Sequence, residues 1–223
     1  MDQQELFRLQ ELTSFEEAAR RKGFCTVVGI DEAGRGPLAG PVVAASCFFP
    51  PEVFVSGVND SKQLTPEKRR IVYQKLISND QIHYNVAIVD HSVIDEINIY
   101  QATIRAMIEA VDGLDIPADY LLVDGLTLPH HSIPGEGIIK GDSKSQLIAA
   151  ASIIAKETRD ELMLEYHKEW PDYGFDRHKG YATKAHREAI ANYGPCPIHR
   201  RSFEPIKSMV QKSEVDAVQL TIY

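Results

Sequence analysis

The chain has 223 residues, 43% of them hydrophobic and 25% charged, enough for one substantial α/β domain with room for a short second unit. Its net charge of −8, taken as a sum, argues against nucleic acid, and three scattered cysteines (Cys25, Cys47, Cys196) support neither a zinc site nor a disulfide framework. No apolar run approaches the roughly 20 residues that span a bilayer, and the polar start Met1-Asp2-Gln3-Gln4-Glu5 does not read as a secretory leader, so no membrane association and a cytoplasmic location are expected.

In chain order, Thr13 to Lys22 reads as a short helix, with Ser14 and Glu17 as a capping box and Gly23 as its stop. Thr26 to Ile30 is apolar and β-branched, a buried strand that runs into the turn Asp31-Glu32-Ala33-Gly34-Arg35-Gly36-Pro37. Val42 to Phe49 is a second strand, closed by Pro50-Pro51 and near enough to pair with the first as a hairpin. After the polar loop Asn59 to Leu64, Thr65-Pro66 opens a helix with proline in its first turn. Alternation at Ile82, Tyr84, Val86 and Ile88 predicts a third strand. Ser92 with Asp95 caps a helix whose apolar face is Val93, Ile97, Tyr100, Ile104, Ile108 and Val111.

Tyr120 to Val123 is a short strand ending at Asp124-Gly125, and a loop leads to Ile138-Ile139 and Lys140-Gly141-Asp142. A long helix follows from about Lys144 to Lys168, with Leu147, Ile148, Ala151, Ile154, Ala155 and Leu162 inward. The last third is helical with loops, broken at Gly194-Pro195, and Val218 to Tyr223 reads as a strand or a partner peptide. Strands first, then alternating helices and strands, describe a mixed sheet with helices on its faces.

Charge is unevenly placed. From Arg177 to Lys207 seven Lys/Arg (Arg177, Lys179, Lys184, Arg187, Arg200, Arg201, Lys207) face only Glu188 and Glu204. Such a stretch can track a phosphate backbone or be a solvated basic face.

Four acids stand out: Asp31, Glu32, Asp124 and Asp142. Three of the sites follow apolar, strand-like runs, which puts carboxylates at the end of a sheet. An ionised carboxylate at the lip of a core is costly without compensation, and hard oxygen donors select Mg²⁺ or Mn²⁺. Carboxylates holding two such ions support in-line phosphoryl displacement. Simpler readings stand beside this one: Asp142 before a helix fits an N-cap, and Asp124-Gly125 fits a turn. Gly34-Arg35-Gly36-Pro37-Leu38-Ala39 also matches a dinucleotide fingerprint, but a strand follows where that motif needs a helix, and two carboxylates precede it.

Asp31-Glu32-Ala33-Gly34-Arg35-Gly36 resembles the signature of type 2 ribonucleases H, specifically the bacterial ribonuclease HII family. The likeness continues in Asn59-Asp60-Ser61-Lys62, Val123-Asp124-Gly125, Lys140-Gly141-Asp142 and Ala149-Ala150-Ala151-Ser152-Ile153-Ile154-Ala155-Lys156. It extends through His178-Lys179-Gly180-Tyr181 and His199-Arg200-Arg201-Ser202-Phe203, so it covers roughly residues 24 to 207.

The resemblance implies an α/β fold, a ribonuclease H-like mixed β-sheet flanked by helices with a helical C-terminal region. The implied division is an N-terminal helical segment (1–23), a catalytic domain (24–168) and a C-terminal helical substrate-binding region and tail (169–223). Asp31, Glu32, Asp124 and Asp142 would bind two Mn²⁺ or Mg²⁺ ions and carry catalysis. The substrates implied are RNA–DNA hybrids and duplex DNA with embedded ribonucleotides, cut to leave 3′-hydroxyl and 5′-phosphate ends. Gly34, Arg35 and Gly36 would read the ribose 2′-hydroxyl, and Tyr181 would pack on the adjoining deoxyribose, although a half-buried core aromatic is its simpler reading. Lys62, Lys179 and Arg200 would lie near phosphates, and a monomer is implied. An intact glycine-arginine-glycine turn and no long N-terminal extension favour this family over ribonuclease HIII. The competing class is a non-catalytic hybrid-binding module, which the presence of all four carboxylates disfavours. No role is assigned to 208–223.

Overall fold

The computed structural model describes residues 1–129 and 132–211, so Val218 to Tyr223 lie outside the described residues. Two short helices come first, α1 (Gln3–Glu11) and α2 (Ser14–Arg21). The sequence pattern puts the α2 cap at Ser14. The structure puts it at Thr13, whose hydroxyl lies 3.3 Å from a Glu17 carboxylate oxygen and donates to the Gln10 carbonyl.

Five strands form one sheet in the order β3-β2-β1-β4-β5. β1 (Val27–Ala33) and β2 (Val42–Phe48) are the expected antiparallel hairpin, and β2 pairs antiparallel with β3 (His83–Val89). β4 (Tyr120–Asp124) and β5 (Gly135–Ile138) continue the sheet in parallel on the other side of β1. β1 runs further than its apolar stretch: Asp31 and Glu32 lie within it, opposite Ala45 and Ala44, instead of in the turn. The β2 ladder holds these two poor strand formers extended. In β3 the most buried side chains are Ala87 and Val89, whereas Tyr84 and Ile88 are exposed on this edge strand.

Helix α3 (Pro66–Ile77) starts on Thr65 as read from the sequence. Helix α4 (His91–Asp112) covers one face of the sheet, burying Ile94, Ala102, Ala106, Met107 and Ala110 against Val28, Ile30, Leu121 and Val123. Its cap is Asp90, not Ser92 with Asp95. Asn98 interrupts it with φ 68°, which rotates the later apolar face and leaves Tyr100 exposed. Asp95 instead accepts hydrogen bonds from the Arg201 and Ser202 amides.

Helix α5 (Gln146–Glu169) lies on the opposite face. Its small run Ala149-Ala150-Ala151 lets it press onto β1 so closely that a Cβ on Gly29 would stand 2.2 Å from the Leu147 carbonyl carbon. Ser145 caps α5 by accepting from the Ile148 amide, and Asp142 sits one step earlier in a 3₁₀ turn (Gly141–Ser143). Beyond α5, the short helices α6 (Phe175–His178) and α7 (Lys184–Tyr193) form a third apolar cluster: Leu38, Met163, Phe175, Ile190 and Ile198. Among the described residues no helix is long and apolar enough to cross a membrane.

Candidate metal centre and nucleic-acid interface

Side chains alternate along a strand, so Gly29 and Asp31 on β1 share the α5 face with Leu122 and Asp124 on β4. The parallel register pairs Ile30 with Val123. The next residues on each strand, Asp31 and Asp124, are therefore neighbours. Asp124 is paired in turn with Ile138 of β5, after which the chain folds back through Lys140, in the left-handed region at φ 56°, and Gly141. The Gly141 amide donates to Asp124 Oδ1 at 2.6 Å, fixing that carboxylate and delivering Asp142 beside it. One oxygen each from Asp31, Asp124 and Asp142 lie within 4.8 Å of one another.

These acids are poorly compensated. Asp31 is 3% exposed. Burial first, then the charges of Glu32 and Asp124, push its carboxyl well above the usual range. Burial also raises Asp124, with Asp142 adding repulsion, and raises Glu32 despite the Arg35 guanidinium. The nearest cation is Lys62, whose ammonium donates to Asp142 Oδ2 at 2.9 Å. Burial pulls that ammonium down, but the Asp142 hydrogen bond and the charges of Asp142 and Asp31 leave it raised. Lys62 and Arg35 against four acids leave excess negative charge on an all-oxygen donor set, and a hard divalent cation fits that set. Glu32 stands apart: its carboxylate pairs with Arg35 at 3.4 Å, and the close trio does not include it.

Two hydroxyls that the sequence reading did not single out complete this region. Ser152 of α5 lies beside Asp31, and its hydroxyl partly offsets the rise of that carboxyl. Its Oγ is 2.8 Å from Ser61 Oγ, and both serines are buried. Either hydroxyl of this pair can be the donor. The Asn59–Lys62 loop thus reaches this region twice, meeting Ser152 through Ser61 and Asp142 through Lys62. A polar residue within the small run of α5, on the face toward the sheet, is the signal that marks Ser152.

The glycine turn borders the carboxylates. Gly34 has φ +99°, and a Cβ there would lie 2.2 Å from Arg159 Nε, so glycine is required. Gly36 is open, and a Cβ on it would stand 3.8 Å from Tyr181 Cε1, so turn and tyrosine line one opening. Tyr181 is 44% exposed, with Lys156 and Arg159 at 5.9 and 6.0 Å from its ring centroid. Lys179 turns its ammonium onto the Asp176 carbonyl. Arg200 departs most from expectation. It is fully buried and bonded to backbone carbonyls, so it is neither a solvated charge nor an open phosphate ligand.

Tyr181 is anchored from behind by a line of neutral histidines. The Cys196 amide donates to His199 Nδ1 at 2.9 Å, which makes His199 Nε2 the protonated nitrogen. Nε2 then donates to His186 Nε2 at 3.0 Å, and His186 Nδ1 donates to the Tyr181 carbonyl at 2.9 Å. Burial depresses both rings to about 4, with His178 adding repulsion at His186 and His186 at His199. In the unfolded chain a histidine titrates near 6.5. Between these values the unfolded state binds more protons. The stability from the neutral pair is therefore complete above about pH 6.5 and lost as pH falls toward 4. The limiting slope is about 1.4 kcal/mol per pH unit per histidine. Urea midpoints from pH 7.5 to 4.5 check this: a falling midpoint is expected, and substituting His186 and His199 together by Gln should flatten that part of the profile.

A family model described as Ribonuclease HII matches residues 28–206. A ribonuclease HII of Chlamydia trachomatis serovar A is 52% identical over 203 residues, covering 91% of this chain and 93% of the relative. The crystal structure of ribonuclease H2 from Pyrococcus horikoshii OT3 superposes with a TM-score of 0.71 at 29% identity, covering 84% of this chain and 98% of that one. At 19% identity, the structure of Bst ribonuclease HIII in complex with Mn²⁺ shares the fold with a TM-score of 0.62, covering 87% of this chain and 72% of that one.

Proposed function

The chain belongs to the ribonuclease HII family and is a metal-dependent endoribonuclease acting on RNA–DNA hybrids, and from that premise we propose that it also nicks duplex DNA at embedded ribonucleotides. Asp31, Glu32, Asp124 and Asp142 are the catalytic acids of this reading, and the products carry 3′-hydroxyl and 5′-phosphate ends. The observation that carries it is the placement of three converging carboxylates beside a glycine turn and a half-exposed tyrosine, since cutting chemistry and sugar recognition then share one opening.

Mg²⁺ or Mn²⁺, a pair in this reading, would be held by the four acids and would supply an activated water and charge stabilisation at the leaving oxygen. The protein's own groups do the rest. The Gly141 amide fixes Asp124 in orientation, and the Ser61–Ser152 hydroxyl pair lies beside Asp31. Lys62 has a mostly exposed side chain at the rim, and its ammonium meets a phosphate oxygen in this reading. Gly34, Arg35 and Gly36 bring bare backbone to the ribose, and the exposed face of Tyr181 takes the neighbouring deoxyribose. The assembly state of this reading is a monomer.

The test is a duplex with one ribonucleotide, incubated with Mg²⁺ or Mn²⁺, with the cut mapped. A single nick at the ribonucleotide with the stated ends is expected, and binding without any nick contradicts the reading. In the same assay Tyr181→Ala should reduce kcat/KM on the single-ribonucleotide duplex about tenfold more than on a long hybrid, because a base- or sugar-stacking aromatic contributes ~1–3 kcal/mol. Equal losses on both substrates would leave the tyrosine a packing role only.

A further inference from the structure

Arg200 is the most heavily bonded side chain near the glycine turn. Its Nε donates to the Gly40 carbonyl at 3.0 Å, Nη1 to Arg35 at 3.0 Å, and Nη2 to Gly34 at 2.6 Å and Pro41 at 3.2 Å. Arg159, reaching over from α5, holds Pro41, Lys179 and Ala39 carbonyls, each at 3.0 Å. Among the described residues no carboxylate hydrogen-bonds either guanidinium. Burial lowers both, to about 9 and about 10, so they remain charged at neutral pH. Two buried cations whose hydrogen bonds go to backbone carbonyls are an expensive device. The segment they grip is the connection between β1 and β2, pinned further by the Leu38 amide on Gly180 O and the Arg200 amide on Leu38 O.

The consequence lies in the peptide planes. In a trans peptide the carbonyl and the following amide point in opposite directions. The Gly34 and Arg35 carbonyls are drawn inward onto Arg200, so the Arg35 and Gly36 amides point outward. Arg35 and Gly36 are exposed while Gly34 is buried. Among the described residues these two amides have no protein acceptor. Two successive outward N–H groups form a donor pair suited to one electronegative oxygen, and they face the opening shared with Tyr181 and the carboxylates.

We propose that Arg200 is a positioning residue for ribose selection: by holding the Gly34 and Arg35 carbonyls inward it presents the Arg35 and Gly36 amides to the 2′-oxygen of the nucleotide at the cut. This rests on the reading that the turn meets the ribose. Lysine in its place keeps a charge but cannot grip carbonyls on both arms of the segment at once.

The test compares kcat/KM on duplexes whose single reporter nucleotide carries a 2′-hydroxyl or a 2′-fluorine, which is a far weaker acceptor. The wild-type protein should prefer the hydroxyl by about tenfold or more. Arg200→Lys should shrink that preference to about threefold or less, measured on protein shown to be folded by circular dichroism. Arg159→Lys, which loses an equally buried guanidinium but no grip on Gly34 or Arg35, should keep it. An Arg200→Lys protein that retains the full preference overturns the proposal. A wild-type protein without any preference overturns the underlying reading of the turn instead. If Arg200→Lys does not fold, the wild-type amide resonances decide. Titration with a ribonucleotide-containing duplex in Ca²⁺ should shift Arg35 and Gly36 in a way that the all-DNA duplex does not, and identical shifts with both duplexes refute the assignment.

Discussion

Asp31→Asn should lower turnover on an RNA–DNA hybrid by at least about a thousandfold, while hybrid affinity stays within about threefold. Residues that merely support a metal ligand contribute 10–100-fold, and Asp31 is a buried member of the acidic trio itself. The amide is nearly isosteric, so β1, the Ser152 contact and the turn stay in place. What disappears is one negative charge and a hard anionic donor. Without metal, that charge is a liability, because burial and the neighbouring Glu32 and Asp124 already oppose its ionisation. The metal-free variant should therefore melt at or above the wild-type temperature. The wild-type protein should gain thermal stability on adding Mn²⁺ and the variant should gain much less, since only a species that binds the folded state stabilises it. Turnover retained in Asp31→Asn, in hybrid cleavage followed by gel, would exclude the carboxylate from the chemistry.

Gly29→Ala should have the largest effect on the fold. The added Cβ would meet the Leu147 carbonyl carbon at 2.2 Å and the Ile148 amide nitrogen at 2.5 Å. Both are backbone atoms at the start of α5, and neither can rotate aside. The sheet and α5 must separate, at a cost of about 3 kcal/mol or more, the upper end of overpacking penalties. For a chain of this size that corresponds to a drop in Tm of roughly 6–12 °C. Asp31 lies two residues along the same face, and Asp142 lies just before α5. The same separation should thus widen the acidic trio and lower activity per folded molecule. Calorimetry checks the first effect and active-site titration the second. Gly23→Ala is the control: its Cβ meets nothing within 4 Å, and only the φ of +99° opposes it. A Gly29→Ala protein as stable as the wild type would mean that α5 yields where the structure shows it packed.

The acids were legible in the sequence because an apolar strand ending in a carboxylate is a chemical anomaly, and the same anomaly occurs at separated places. Topology, which places β1 beside β4 in parallel, is what brings them together. The two readings of Asp142 separate only in the structure, where Ser145 takes the capping role and leaves the Asp142 carboxylate to the cluster. The continuation of β1 through Asp31 and Glu32 was hidden because local preference opposes it and only the ladder with β2 supports it. Arg200 shows a different limit. A sequence assigns it charge but not depth, and an arginine in a basic stretch reads as surface. Only the carbonyls converging on it from residues 34 to 41 reveal a buried brace. Ser152 and Arg159 were overlooked for the same reason: their partners are backbone or side-chain atoms far away in sequence.

The most direct test of the metal centre is anomalous scattering from a crystal soaked in Mn²⁺. Density bonded to oxygens of Asp31, Asp124 and Asp142 is the result that follows from their convergence. A fully soaked crystal with no manganese between them, from protein that still cuts hybrids in the same Mn²⁺ buffer, would contradict it.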